Sequence, residues 1–183
     1  MATADQISPA EVIAFWREAG AERWWTKNDT FDDTVRSRFL ALWTSAAAGG
    51  LEAWRGSDDG ALALVIVLDQ FPRNMFRGDR RTYATDVFAL AVAKDAVAHG
   101  VDLRTDEDLR QFIYMPFMHS EQLADQERCV ELFGKSGEEN RKYAEGHADI
   151  VRRFGRFPHR NAVLGRDSTA EELDFLKSGG FSG

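Results

Sequence analysis

The chain has one cysteine, Cys129, in 183 residues, so an intrachain disulfide framework and a cysteine-based zinc site are both excluded. It has no composition break and no low-complexity linker, which argues against a division into separate domains. Long apolar runs are missing too. The longest, Ala61 to Leu68, is eight residues, where a membrane-spanning helix needs about 20, so it predicts a buried segment and no membrane partner. The first residues, MATADQISPA, lack the basic and apolar regions of a secretory signal, and a soluble cytoplasmic protein is expected. Basic residues are in deficit, 23 against 30 acidic, for a formal charge of -7. Nucleic-acid affinity comes from neutralising phosphates with Lys and Arg, so no nucleic-acid partner is expected. GxGxxG after a strand, a Walker loop and a GxSxG elbow are all absent.

What remains is dense in helix. Hydrophobic residues make up 44%, enough for a core, and the length fits one domain over residues 1–183. Ser8-Pro9-Ala10-Glu11 reads as a capping box with Pro at the first helical position. Val12, Phe15, Trp16 and Ala19 follow at helical spacing, with Gly20 as the stop. Asp29 is positioned to cap a second helix with Phe31, Val35, Phe39 and Leu42 on one face. A third, from Asp58 to Gln70, is apolar nearly all round and is expected at the centre of the core. Phe71-Pro72 predicts its end, because the residue before Pro is pushed out of the helical region. Further helices are expected over about 80–99, from Thr105 to a break at Pro116, over 117–133 and over 138–154. In the last, Ser168 is the expected cap, Glu171 the box residue, and Leu173 and Leu176 the inward side chains. No segment alternates as a strand would. The expected fold is all-α, a single domain of about seven to eight helices.

Three polar segments interrupt this pattern. The first is Asp69-Gln70-Phe71-Pro72-Arg73-Asn74, directly after the most apolar helix. There Arg73 reads either as an anion-binding fork or as the partner of Asp69 in a turn. The second runs from Met115 through His119, Ser120 and Glu121 to Asp125 and Gln126. A His beside carboxylates suits general acid–base work near neutral pH, with His119 and Glu121 as catalytic candidates and Asp125 as an alternative orienting partner. The bland reading is a locally hydrogen-bonded His. The third holds five Arg between Arg152 and Arg166 with no acid, and sets His159-Arg160-Asn161 in a Pro turn. FPRNMFRG and FPHRNAVLG echo one another, either as similar turns or as two sides of a pseudo-symmetric site. The His and carboxylates have no metal-ligand spacing, so no metal is expected, and no cofactor can be read. All five Trp lie in the first 54 residues. They predict a helical-hairpin core or, if Trp24 and Trp25 are exposed, a homodimer or protein interface.

The segments LDQFPRNMFRG (Leu68–Gly78), YMPFMHSEQLADQE (Tyr114–Glu127) and RFGRFPHRNAVLGR (Arg153–Arg166) resemble the signature blocks of the bacterial domain-of-unknown-function 924 family. ALAL before the first, STAEEL after the last and the N-terminal FW and WW pairs resemble it as well. The resemblance implies a helical fold similar to tetratricopeptide-repeat proteins and brings no established activity. Two functions are compatible with these residues. One is a pocket for a small anionic ligand formed by the QFPRN, MHSE and RFPHRN segments, with Asp69, Gln70, Arg73, Asn74, Asp125, His159, Arg160 and Asn161 as ligand-binding residues. The other is a tetratricopeptide-like module for a peptide or protein partner, in which these segments are architecture.

Overall fold

A computed structural model describes residues 7–181, and among them every regular element is helical. The expectation of an all-α protein holds, with more helical segments than the seven or eight anticipated. The chain divides into two compact units. One comprises the residues up to Arg77 with Arg81–Pro116; the other comprises Gly78–Arg80 and the chain from Phe117 onward.

The first unit begins with α1 (Pro9–Trp25), whose Ser8–Glu11 capping box satisfies backbone donors in both directions. Gly20 does not end α1. Its φ of 68° and ψ of 173° kink the helix, which resumes to Trp25. The cap of α2 (Asp29–Ala47) is Asn28 rather than Asp29, with its side chain accepting from the N–H of Phe31. Buried Phe31, Val35, Phe39 and Leu42 form the expected α2 stripe.

Ser57 caps α3 (Asp58–Val65), and the apolar run Ala61–Leu68 is buried throughout, at the core of this unit as expected. Phe71-Pro72 does not stop the helix. The chain widens into one π turn over Ile66–Gln70 and continues as α4 (Phe71–Met75), with Phe71 itself at helical angles, φ -58° and ψ -42°. The wider turn carries the N–H of Phe71 to the carbonyl of Ile66 and shifts the ladder at the point where Pro72 has no N–H to give. Phe71 stacks on Phe39 with ring centroids 4.5 Å apart, and both rings are fully buried.

After a 3₁₀ turn at Arg80–Tyr83 come α5 (Asp86–Ala98) and a short α6 (Val101–Arg104) that the sequence pattern did not reveal. Trp16 packs edge-on against Phe71 and Phe112. Trp24 donates from its indole to the carbonyl of Trp16, and Trp25, 54% exposed, lies flat on Phe112. The two Trp readings therefore divide: Trp16 and Trp24 build the core, while Trp25 leaves a face to solvent.

Helix α7 (Glu107–His119) contains Pro116 without breaking there, and the chain leaves it only at Ser120. The stop is held by a side chain from the next helix, α8 (Leu123–Gly134). The Gln126 amide donates to the carbonyls of Met118 at 2.7 Å and Ser120 at 2.6 Å, groups that the helix end leaves unpaired. In the second unit α8 packs on α9 (Glu138–Phe154). Ile150, Val151 and Phe157 form a buried cluster against which Phe154, Phe175 and Phe181 pack. A 3₁₀ turn at Pro158–Arg160 leads into α10 (Asn161–Leu164) and then α11 (Ala170–Lys177). The cap of α11 is one residue later than expected, Thr169 with Glu172 in the box. That shift turns Leu173 outward, 43% exposed, and buries the Glu172 carboxylate. No helix among the described residues is long and apolar enough to cross a membrane.

Two glycines separate backbone strain from crowding, because a Cβ would meet open space at both Gly20 and Gly146. Gly20 sits at φ 68°, where an L side chain is strained, and Gly146 lies inside α9. Gly20→Ala should cost about 1–3 kcal/mol, whereas Gly146→Ala should stabilise by about 0.5–1 kcal/mol. Urea unfolding midpoints of the two variants measure both signs.

Candidate functional site

The first polar segment forms an ion-pair network within its own unit. Asp69 is wholly buried, and its carboxylate accepts from the Gln70 amide at 2.6 Å. The Gln70 amide also faces the sulfur of Met115 at 3.4 Å. Arg73 grips Asp86 with both guanidinium ends, Nη1 to Oδ1 at 2.8 Å and Nη2 to Oδ2 at 3.0 Å, and its Nη1 also reaches the Asp69 carbonyl and carboxylate. Burial pushes the Arg73 pKa down, but Asp69 and Asp86 outweigh it and the net shift is upward. The Asp69–Arg73 pair that the sequence suggested is present, and Asp86 is the stronger partner. Asn74 donates to Asp32 at 2.7 Å, and Arg77 clamps the same carboxylate from the other side.

The second and third segments meet within the second unit. The Glu121 carboxylate receives Arg166 bidentately at 2.7 and 3.0 Å and the N–H of Phe157 at 2.8 Å. Burial raises its pKa, but these donors outweigh that and hold it below the ordinary value. Asp125 accepts from the Ser120 hydroxyl at 2.8 Å, in the first turn of α8. Arg160 is buried, donates to the carbonyl of His119 at 3.0 Å and lies 4.6 Å from the Phe157 ring centroid. Asn161 joins two clamps. It accepts from Arg166 at 2.9 Å and donates to Ser168 and to Glu172, whose carboxylate is gripped by Arg156 at 2.6 and 2.7 Å.

The echo between the two Phe-Pro segments thus has a chemical basis inside each unit. Asn74 and Asn161 are both buried, and each donates to a carboxylate held by a two-point Arg.

Three imidazoles are gathered around the third segment. His147 donates from Nδ1 to the Tyr143 carbonyl at 3.0 Å. Its ring centroid is 4.6 Å from Phe181 and 6.0 Å from Phe157. His159 lies 5.3 Å from Phe181 and 5.7 Å from Phe157. Its Nδ1 is buried with no hydrogen-bond partner among the described residues. Burial, then the charge of Arg160, pushes the His159 pKa down to about 4, with Glu121 opposing. Burial also brings His147 to about 4, with the charges of His119 and Arg160 adding to the shift. Both rings are neutral at pH 7. His147 is a buried core histidine.

The sequence-predicted residues therefore fall in two sets. Asp69, Gln70, Arg73 and Asn74 are together in the first unit. His119, Glu121, Asp125, His159, Arg160 and Asn161 are in the second. Arg166, Glu172 and Phe181 were missed. The first two are invisible because their partners are far off in sequence; Phe181 carried no signal beyond being aromatic. No group of three or more His, Cys, Asp or Glu among the described residues is placed to hold a metal ion. Cys129 is buried, and burial pushes its thiol up to about 12, far from a reactive thiolate. A 320 Å³ groove between α8 and α9 is lined by Glu127, Val130, Glu145, Ala148, Asp149 and Arg152, none of them a predicted site residue.

This is an all-helical protein whose motif arginines clamp carboxylates and in which His147 and His159 pack against the Phe181 ring. The chain belongs to the family of bacterial proteins of unknown function DUF924, whose model matches residues 12–180. A solved structure, the protein of unknown function ATU0120 from Agrobacterium tumefaciens, is 43% identical, with a TM-score of 0.91 over 93% of this chain and 97% of that one. No curated protein matches the chain.

The Glu172 clamp sets a pH dependence. Arg156, then the N–H of Thr169 and the amide of Asn161, lower its pKa from 4.5 to about 2, against a smaller effect of burial. A depressed folded-state pKa gives stability that is present above the unfolded value and lost as pH falls through the folded one. Wild-type thermal midpoints should therefore drop between pH 4.5 and 2 more steeply than those of Glu172→Gln, which should start lower at pH 7. Parallel curves would remove the assignment.

Proposed function

We propose that the protein binds a small anionic ligand at the imidazole–guanidinium cluster of the second unit, formed by His119, His159 and Arg160. The observation that carries this reading is the buried Nδ1 of His159, which has no hydrogen-bond partner among the described residues and feels the charge of Arg160. A buried polar nitrogen without a partner costs about 1–3 kcal/mol, a cost that an arriving acceptor removes. An anion there favours protonation of His159, and the imidazolium then holds it. The QFPRN segment and the Glu121 and Glu172 clamps serve as architecture in this reading, because their guanidinium forks already hold carboxylates. His119 remains the acid–base candidate, and a chemical step is not part of the proposal.

Sulfate is a suitable probe because its charge is constant over the working pH range. Its affinity, followed by calorimetry, should rise as pH falls from 8 to 5, since binding takes up a proton at an imidazole whose free pKa is about 4. His159→Ala should weaken binding at least tenfold, and Arg128→Ala, a surface charge change in the same unit, should leave it within twofold. Binding that ignores His159 sinks the reading.

A second reading, an interaction module, is favoured by α5. Its outward side carries Val87, Phe88 and Ala91 at helical spacing, with Val87 76% and Phe88 53% exposed. An apolar side of this kind on a helix is self-complementary when a second copy packs against it about a two-fold axis. Sedimentation equilibrium should then give a dimer for wild type and a monomer for Phe88→Glu; a monomeric wild type removes this reading.

A further inference from the structure

We propose that His147 is a second arm of the anion site, so that the site takes a tetrahedral oxyanion that keeps a hydroxyl at neutral pH, hydrogen phosphate being the smallest. This rests on the anion reading above and names the class of ligand. His147 is 6% exposed, and its Nδ1 donates to the Tyr143 carbonyl at 3.0 Å. A neutral imidazole has one N–H and one lone pair, so that bond fixes Nε2 as the acceptor. The ring is neutral at pH 7, because burial holds its pKa at about 4. Among the described residues no hydrogen bond reaches Nε2. A buried acceptor without a donor keeps its desolvation penalty unreturned. The second unit therefore holds two unmatched imidazole nitrogens, Nε2 of His147 and Nδ1 of His159.

Both imidazoles lie against the same two phenyl rings. His147 is 6.0 Å from Phe157 and 4.6 Å from Phe181, and His159 is 5.7 Å and 5.3 Å from the same two. Phe157 and Phe181 are themselves 6.5 Å apart. The two triangles that share this side put the imidazole centroids no more than about 9 Å apart. One tetrahedral oxyanion covers that span with a hydrogen bond of about 2.8 Å on each side. The two nitrogens make different demands on it. His159 takes up a proton as the anion arrives and donates to a bare oxygen. His147 has only a lone pair to offer, so the oxygen facing it must carry the proton. Sulfate has no proton at pH 7 and sets a bare oxygen against that lone pair, unless His147 is first protonated against its lowered pKa. Hydrogen phosphate brings its own donor. The two anions are alike in size and charge, and a site built to bond a ligand hydroxyl rejects the analogue that lacks one.

The test uses the full chain at pH 7 and three probes followed by calorimetry: phosphate, sulfate and methyl phosphate. Wild type should bind phosphate at least tenfold more tightly than sulfate. Methyl phosphate, mostly a dianion without a hydroxyl at this pH, should follow sulfate, which separates the free anion from a phosphorylated metabolite. His147→Phe keeps a ring against Phe157 and Phe181 and removes Nε2, and its phosphate affinity should fall to within twofold of its sulfate affinity. Where a lowered thermal midpoint shows that this variant is unfolded, the three wild-type affinities decide by themselves. Phosphate bound no more tightly than sulfate by wild type, or by the same margin in folded His147→Phe as in wild type, overturns the role of His147 and leaves the anion site standing. Methyl phosphate bound as tightly as phosphate overturns the need for a ligand hydroxyl and so the proposal. Binding of none of the three overturns the anion site and the second arm with it.

Discussion

The two-point guanidinium–carboxylate clamp is the interaction on which each unit's turns depend. Arg77 holds Asp32 across 45 residues, Arg104 holds Asp58 across 46, and Arg73 holds Asp86 across 13. In the second unit Arg166 holds Glu121 across 45 residues, and Arg156 holds Glu172 across 16. Four of the five fasten the end of a helix or the turn beyond it to a distant element, where packing alone leaves backbone direction undetermined. Arg suits this work and Lys does not, because the planar fork fixes both distance and angle. The preference for Arg, 18 against 5 Lys, has a structural use here. Where both partners are largely buried, as in Arg73 with Asp86, removal of one leaves an uncompensated charge and costs about 3–5 kcal/mol. Joint replacement of a pair by apolar groups would cost far less, which means the clamps specify geometry more than they stabilise.

The same clamps change the meaning of the charge distribution. A cluster of five Arg without an acid between Arg152 and Arg166 looks like a receptor for an anion. In the folded unit Arg152, Arg153, Arg156 and Arg166 meet Asp149, Glu171, Glu172 and Glu121. The protein supplies its own anions. Arg160 is held against the Phe157 ring and the His119 carbonyl.

Elements set by local physics were legible in the sequence. The Ser8 capping box, the α2 stripe, the buried run Ala61–Leu68 and the extent of α9 all depend on residues within one or two turns of each other. Errors arose where a distant group altered a local rule. Pro72 and Pro116 look like stops, yet a π turn before the first and the helix ladder around the second absorb them, and the real end of α7 is held by Gln126. The cap of α11 slipped by one residue because Ser168 and Thr169 offer the same hydroxyl. Ser168 is engaged by Asn161, and Glu172, not Glu171, is the carboxylate that Arg156 buries. The polar segments of the candidate site were visible as positions, but partners such as Glu172 for Arg156, 16 residues away, and Glu121 for Arg166, 45 residues away, were not.

The imidazole pair shows what a buried polar group can do when its partner is not built in. A clamped carboxylate such as Glu121 is fully satisfied and has no capacity left for chemistry. His159 is the opposite case: a neutral ring in an apolar setting, held below its ordinary pKa by burial and by Arg160, with one nitrogen unmatched. Folding alone gives no return for that arrangement, since an apolar ring of similar size would fill the space without the cost of a lone nitrogen. Any group that brings an acceptor to Nδ1 gains the hydrogen bond and shifts the proton equilibrium together, so occupancy and protonation are linked in both directions.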